Sequence, residues 1–407
     1  MDLNFDLDNL FASNEMEEFS VFANMPGSIL TYPCINSKTP CYSDSLYEFK
    51  EEDLELFDRV RQEFIRRVDQ RINEHDQQGE NINSLRVDFL LGYEHQDVID
   101  KWISYAIAKG AERIEILFSC DAFGMPNLDL YRFPHALFSE FKNHLHLRNC
   151  HLLPHAEFSG FKQLKTLVLE ELTFHPSSSH IVTPNLSSFE FGGGSILNFS
   201  SIDAPQLATF YLNSKSDLIL EDQSSEILNS VFILDSLPQL QNLSMILNPS
   251  LISKFPTTMG PFKNLKVLEL FIIEISEEVD EDYLWILDVV MACPRLQKLY
   301  IGNACPELCA NNRQRREHPT FFHCELKNVE FHGCVGQNTE IELAIHFLKN
   351  AISLEDITFS PRSKIYLGNG KSFEGFDCLS YWSETGRNFI REELQDFVCG
   401  STRLIFL

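Results

Sequence analysis

Cys305-Pro-Glu-Leu-Cys309, with His318, His323 and Cys324 downstream, comes nearest to a metal site in this 407-residue chain. Thiolate and imidazole are the donors of structural zinc, which takes four ligands in a tetrahedron, often from paired short spacings. The first pair is spaced acceptably. Cys324, however, lies beside Leu326, a core position of the repeat described below. A metal-binding or enzymatic role for the Cys305–Cys324 region therefore stands only as the alternative reading. Gly368-Asn-Gly-Lys-Ser372 has the ending of a phosphate loop, but Ile365 occupies the place of its first glycine and no helix is expected after it. Gly192-Gly-Gly194 follows a strand but lacks the rest of a dinucleotide fingerprint. His144, His146, His151 and His155 have no serine or cysteine nucleophile in a recognisable turn beside them, and read as ordinary histidines. No catalytic residue, cofactor or metal ligand set is expected.

The elements that must position any site are strands of one kind. Leu164, Leu167 and Leu169 follow the frame L-x-x-L-x-L, in which residues two apart face the same side of a strand. The frame recurs from Leu186, Leu207, Leu240, Leu265, Leu296, Leu326 and Leu354, with successive starts 21 to 33 residues apart. Weaker copies lie at Ile82/Leu85/Val87, Ala111/Ile114/Ile116 and Leu145/Leu147. One such unit cannot bury its own apolar face, so copies must stack. The expected fold is an α/β leucine-rich-repeat solenoid, with a parallel sheet on the concave side and helices and loops on the convex side.

Helical spacing places helices over about 53–76, 96–109, 224–237, 280–293, 339–350 and 381–398, with Arg403–Phe406 closing the sheet edge. Gly110 stops the second helix. Residues 1–48 are acidic, carry no sustained periodicity and are expected to be poorly ordered; 49–407 form the solenoid.

The net charge of −26 argues against nucleic acid or an anionic membrane surface as partner. No apolar run reaches the length of a membrane span, and Met1 is followed by acidic residues rather than a basic leader. Eleven irregularly spaced cysteines read as reduced thiols of a cytoplasmic or nuclear protein. In each strand the residue between the second and third apolar positions points away from the core. Down the stack these are Arg86, Glu115, His146, Val168, Glu190, Tyr211, Ser244, Glu269, Tyr300, Glu330 and Thr358. Glu115, His146, Glu190, Tyr211, Glu269, Tyr300 and Glu330 are the candidate partner-binding residues of the concave face. The tyrosines would anchor, and the glutamates would select a basic protein.

Val98–Ser119 resembles the segment after the F-box in plant F-box/leucine-rich-repeat proteins, where a W-I-x-x-A helix precedes a core strand. Phe322–Pro361 is similar to the FBD-like C-terminal repeats of that family, here about 320–407, with His323 as its repeat-opening histidine. The resemblance covers about residue 50 to the end. It implies substrate recognition for a cullin-type ubiquitin ligase. The family's F-box, with its L-P-x-x-[IL] opening and S-x-x-W ending, has no counterpart before this region, so docking of a Skp-type adaptor is not expected.

Overall fold

The computed structural model describes residues 2–5, 51–79, 81–89, 91–118, 129–152, 157–158, 161–174, 179–192, 199–213, 237–247, 262–272, 284–303, 321–334, 336, 338–368, 371–377, 384–398 and 400–407. The expected helix at 224–237 and most of 1–48 lie outside these. The chain divides into a first unit, residues 1–155 with 160–175, and a second, residues 156–159 with 176–407.

The first unit contains a parallel ladder of β1 (Asp2–Phe5), β2 (Ser84–Asp88), β3 (Arg113–Leu117), β4 (His144–Arg148) and β5 (Thr166–Glu170). Its register stacks the apolar frame in columns. Leu85, Ile114, Leu145 and Leu167 align, as do Val87, Ile116, Leu147 and Leu169, and all eight are buried. Two helices cover the ladder's start. α1 (Glu51–Gln78) buries Val60, Phe64, Val68 and Ile72, the periodic face expected from sequence. Its Arg66 and Arg67 pair with Glu63 of the same helix, so the basic face is satisfied locally. In α2 (Gln96–Ala108), Trp102 is fully buried and its indole N–H donates to Asp69 at 3.0 Å. Gly110, at φ 86°, takes the left-handed conformation that ends this helix. A short parallel sheet joins Arg132–Phe133, His151–Leu152 and Thr173–Phe174.

β1 departs from the expectation of a poorly ordered start. Asp2–Phe5 pairs in parallel with β2, with Leu3 opposite Leu85 and Phe5 opposite Val87. Backbone pairing at an open sheet edge needs no long apolar pattern, so the acidic composition did not reveal it.

The second unit runs β6 (Ser188–Gly192), β7 (Thr209–Asn213), β8 (Asn242–Leu247), β9 (Val267–Ile272), β10 (Lys298–Asn303), β11 (Asn328–His332), β12 (Asp356–Ser360) and β13 (Arg403–Phe406). All neighbours are parallel and in register. Phe331, Phe359 and Phe406 stack across the last three strands at 5.2 and 5.4 Å between ring centroids. α3 (Trp285–Met291), α4 (Asn338–Asn350) and α5 (Glu384–Leu394) are the described helices of this unit. A second short parallel sheet joins Glu157–Phe158, Ser179–Val182 and Phe199–Asp203.

The opening leucine of each repeat closes a tight turn. The N–H groups of Leu186, Leu207, Leu240, Leu265, Leu296 and Leu354 donate to the carbonyls of Thr183, Ala204, Leu237, Phe262, Cys293 and Ala351, three residues earlier. Proline follows that first residue at Pro184, Pro205, Pro238 and Pro294, where its fixed φ suits the turn. These turns set each strand's register and so fix which side chains reach the opposite sheet face.

One element was absent from the sequence reading. Arg362–Gly368 and Lys371–Asp377 form an antiparallel hairpin, paired as far as Gly368 opposite Lys371. Gly368 and Lys371 are therefore paired across a hairpin, and the strand Lys371–Asp377 takes the place of the helix that a phosphate loop requires.

Candidate partner-binding faces

Alternation puts Arg86, Glu115, His146 and Val168 opposite one another on the non-core face of the first unit. There they are closed off. Glu115, His146 and Val168 are at most 5% exposed, which differs from the open docking row expected of them. The reason is their neighbours two residues away on the same strands. Glu115 accepts hydrogen bonds from Arg86 at 2.9 Å and from Arg113 Nε at 2.8 Å, and Arg113 Nη2 also contacts it. His144 Nε2 stands 3.4 Å from the same carboxylate, and His146 Nε2 stands 3.2 Å from Glu170. Asp88 accepts from Arg86 at 2.6 Å and from Arg148 at 3.3 Å.

Electrostatics follow from this packing. Burial acts to raise the Glu115 pKa, but His144, Arg113 and Arg86 outweigh it and hold the carboxyl well below its usual range. Glu170 is lowered in the same way, with His146 and Arg148 overcoming burial. Burial lowers the pKa of His144 and favours its neutral form.

In the second unit Glu190 and Tyr211 are also buried, each 4% exposed. Ser244, Glu269, Tyr300, Glu330 and Thr358 are not buried. Across β8 to β11 these residues sit side by side: Ser244 opposite Glu269, Glu269 opposite Tyr300, Tyr300 opposite Glu330. Ser244 donates to Glu269 at 2.6 Å. Lys364, from the hairpin, donates to the other Glu269 oxygen at 2.8 Å. The same ammonium lies 4.4 Å from the Tyr300 ring centroid. His332 stacks against Tyr300 and its Nε2 lies 3.1 Å from Glu330. Burial, reinforced by Glu330 and Glu269, raises the Tyr300 pKa.

The sequence therefore identified Glu269, Tyr300 and Glu330, and the fold brings them together. It missed Lys364 and His332. The signal for Lys364 was Asn369-Gly370 between alternating apolar residues, a hairpin signature weighed only as a phosphate loop. His332 lies two residues after Glu330 and so shares its face.

Cys305, Cys309 and His318 lie outside the described residues. His323 has no free nitrogen for zinc. Its Nε2 donates to the Cys293 carbonyl at 2.9 Å, and its Nδ1 accepts from the N–H groups of Glu325 and Leu326 at 3.2 and 3.0 Å. The ring thus supplies the turn acceptor that a backbone carbonyl provides in six other repeats. Cys324 is an exposed free thiol. Among the described residues, no helix is long and apolar enough to cross a membrane.

No curated protein matches the chain. Residues 179–384, just over half of it, match the leucine-rich-repeat domain family described as At1g61320/AtMIF1, LRR domain. The match begins at Ser179 and so spans β6 to β12, the strands that carry Glu269, Tyr300 and Glu330. On that match and on the in-register apolar columns, this chain belongs to the At1g61320/AtMIF1 leucine-rich-repeat family.

Proposed function

We propose that this protein is a non-enzymatic recognition module that binds a basic segment of a protein partner on the Ser244–Glu269–Tyr300–Glu330 face. The observation that carries the reading is Lys364. A lysine of the chain's own hairpin sits with its ammonium on Glu269 and over Tyr300, so this face can hold a cation by ion pairing and cation–π contact together. A leucine-rich-repeat fold suits the role, because it presents a long row of side chains on a rigid ladder.

The finer assignment rests on the resemblance of Val98–Ser119 and Phe322–Pro361 to plant F-box/leucine-rich-repeat proteins. In it, the module selects substrates for a cullin-type ubiquitin ligase inside the cell, in the cytoplasm or nucleus. Adaptor docking through a Skp-type protein forms no part of the proposal. Affinity purification from the native cell with the wild-type chain, and with a Glu269→Gln/Tyr300→Ala/Glu330→Gln variant, tests the reading. A partner held by the wild type and lost by the triple variant is expected. Equal recovery by both chains would sink it.

A further inference from the structure

Two histidines on one strand, flanked by carboxylates on both neighbouring strands, make an arrangement that the recognition role does not use. His144 and His146 lie two apart on β4 and so project from the same face. Glu115 is on β3, directly opposite His146, and Glu170 is on β5. The donor atoms of Glu115, His144 and His146 all lie within 4.8 Å of one another, and all three residues are buried.

The spacing carries chemical information. Zinc bonds to imidazole nitrogen and carboxylate oxygen are about 2.0–2.2 Å, so donor atoms along a tetrahedral edge stand about 3.3 Å apart. Within the trio, His144 Nε2 stands 3.4 Å from Glu115, close to such an edge. His144 Nε2 is buried, and its geometry toward Glu115 makes no hydrogen bond. A buried ring nitrogen this near a carboxylate without a hydrogen bond to it leaves a donor for a shared cation.

We propose that Glu115, His144 and His146 form a three-ligand binding site for a divalent ion of the zinc class, with Glu170 beside His146 as an outer partner. Two imidazoles with one carboxylate, leaving a fourth position for water, suit zinc or cobalt better than calcium or magnesium, which prefer oxygen ligands throughout. Arg86 and Arg113 act as outer partners of Glu115: Arg113 donates twice to Oε1 and Arg86 once to Oε2, so the lone pair left for an ion is on Oε2. An ion can reach the site past Arg113 and Glu170, whose side chains are 46% and 22% exposed. Charge limits the affinity. With neutral histidines, Asp88, Glu115 and Glu170 already balance Arg86, Arg113 and Arg148, and a dication adds two positive charges with no further counterion. Micromolar binding, about 8 kcal/mol, is therefore expected rather than the far tighter binding of a thiolate site.

The full chain, stripped with chelator, is titrated with zinc by calorimetry and with cobalt by visible absorption. One equivalent per chain and a tetrahedral cobalt band are expected. His144→Ala and His146→Ala should each weaken binding by at least ~100-fold, more than loss of an outer partner does. Arg113→Gln should tighten it by removing a neighbouring positive charge. Cys305→Ser/Cys309→Ser should leave it unchanged. X-ray absorption of the zinc-loaded wild type, which depends on no variant folding, should show nitrogen and oxygen ligands only. Sulfur in the first shell, no binding up to about 1 mM zinc, or binding indifferent to both histidine substitutions in folded protein would overturn the proposal.

Discussion

The non-core faces of the two ladders use the same positions to opposite ends. In the first unit Arg86, Glu115, His146 and Glu170 join Asp88, Arg113, His144 and Arg148 in one network of ion pairs around a buried Glu115. In the second, Glu269, Tyr300 and Glu330 keep part of their surface open, and a hairpin lysine provides the cation. Alternation decides which face a residue joins. The residues two positions along and one strand across decide whether that face is closed or receptive.

The sharpest way to break this comparison is to remove one glutamate from each unit. Glu115 is 3% exposed and faces two guanidiniums. Glu115→Gln should cost about 3 kcal/mol, the low end for a broken buried ion pair, because Arg86 and Arg113 still reach solvent. Glu269→Gln should cost about 1 kcal/mol, since its pair with Lys364 lies nearer water. Hydrogen exchange of β3–β4 and of β9–β10 in each variant reads the two units separately. Equal losses would mean that the two faces do not differ in kind.

His323 sharpens the contrast inside the second unit. Its partners are backbone groups of its own turn and of the preceding repeat, not carboxylates. His323→Ala leaves the Leu326 N–H unpaired and removes one of the two donors on the Cys293 carbonyl, which keeps the Leu296 N–H, for a loss of about 2 kcal/mol. Denaturant unfolding should show this loss with no dependence on zinc or chelator. A chelator-sensitive midpoint in the wild type that the substitution abolishes would restore His323 as a ligand.

The apolar columns were legible because a parallel ladder demands the same frame in every repeat, and Leu164/Leu167/Leu169 display it openly. Helices were legible where periodicity ran long, as at Val60, Phe64, Val68 and Ile72. What the sequence hid was contact across strands. Nothing in the spacing of Arg86 and His144 shows that both reach Glu115, because the 29 and 31 residues between paired strands carry no register until the turns fix it. The Lys364–Glu269 pair spans 95 residues and depends on a hairpin whose only local sign was Asn369-Gly370.

Acid should separate the units by a smaller margin. His144 has a lowered pKa in the folded chain, so below its ordinary value of 6.5 the unfolded chain binds more protons and stability falls. Glu115 and Glu170 are lowered too. Their contribution is full above 4.5 and is lost as pH falls through their folded values. Each proton involved contributes a slope of at most about 1.4 kcal/mol per pH unit. Between pH 7 and 5 the His144 term acts on this network, beside the like term of His95, which burial also lowers, so protection of β3–β4 should decline modestly. It should fall steeply below 4.5. His144→Gln should flatten the first part of that profile; an unchanged profile would remove His144 as its cause.

The smallest effect on stability should come from Lys364, and it bears most directly on what the second face is for. The Lys364 and Glu269 side chains are each 18% exposed, so Lys364→Ala should change stability by less than about 1 kcal/mol. The same substitution vacates the position between Glu269 and Tyr300. A lysine from outside then no longer competes with one tethered in the same chain, whose local concentration is high. A fluorescent octapeptide of alternating lysine and glycine should bind the Lys364→Ala chain about tenfold more tightly than wild type, equivalent to about 1.4 kcal/mol. Adding Tyr300→Ala should cancel that gain. Glu355→Gln, which removes a charge from an exposed pair with Lys327, should not. A gain that survives Tyr300→Ala would come from the overall acidity of the protein and not from this face. No gain at all would mean that Lys364 holds the hairpin in place without occupying a site that another cation can take.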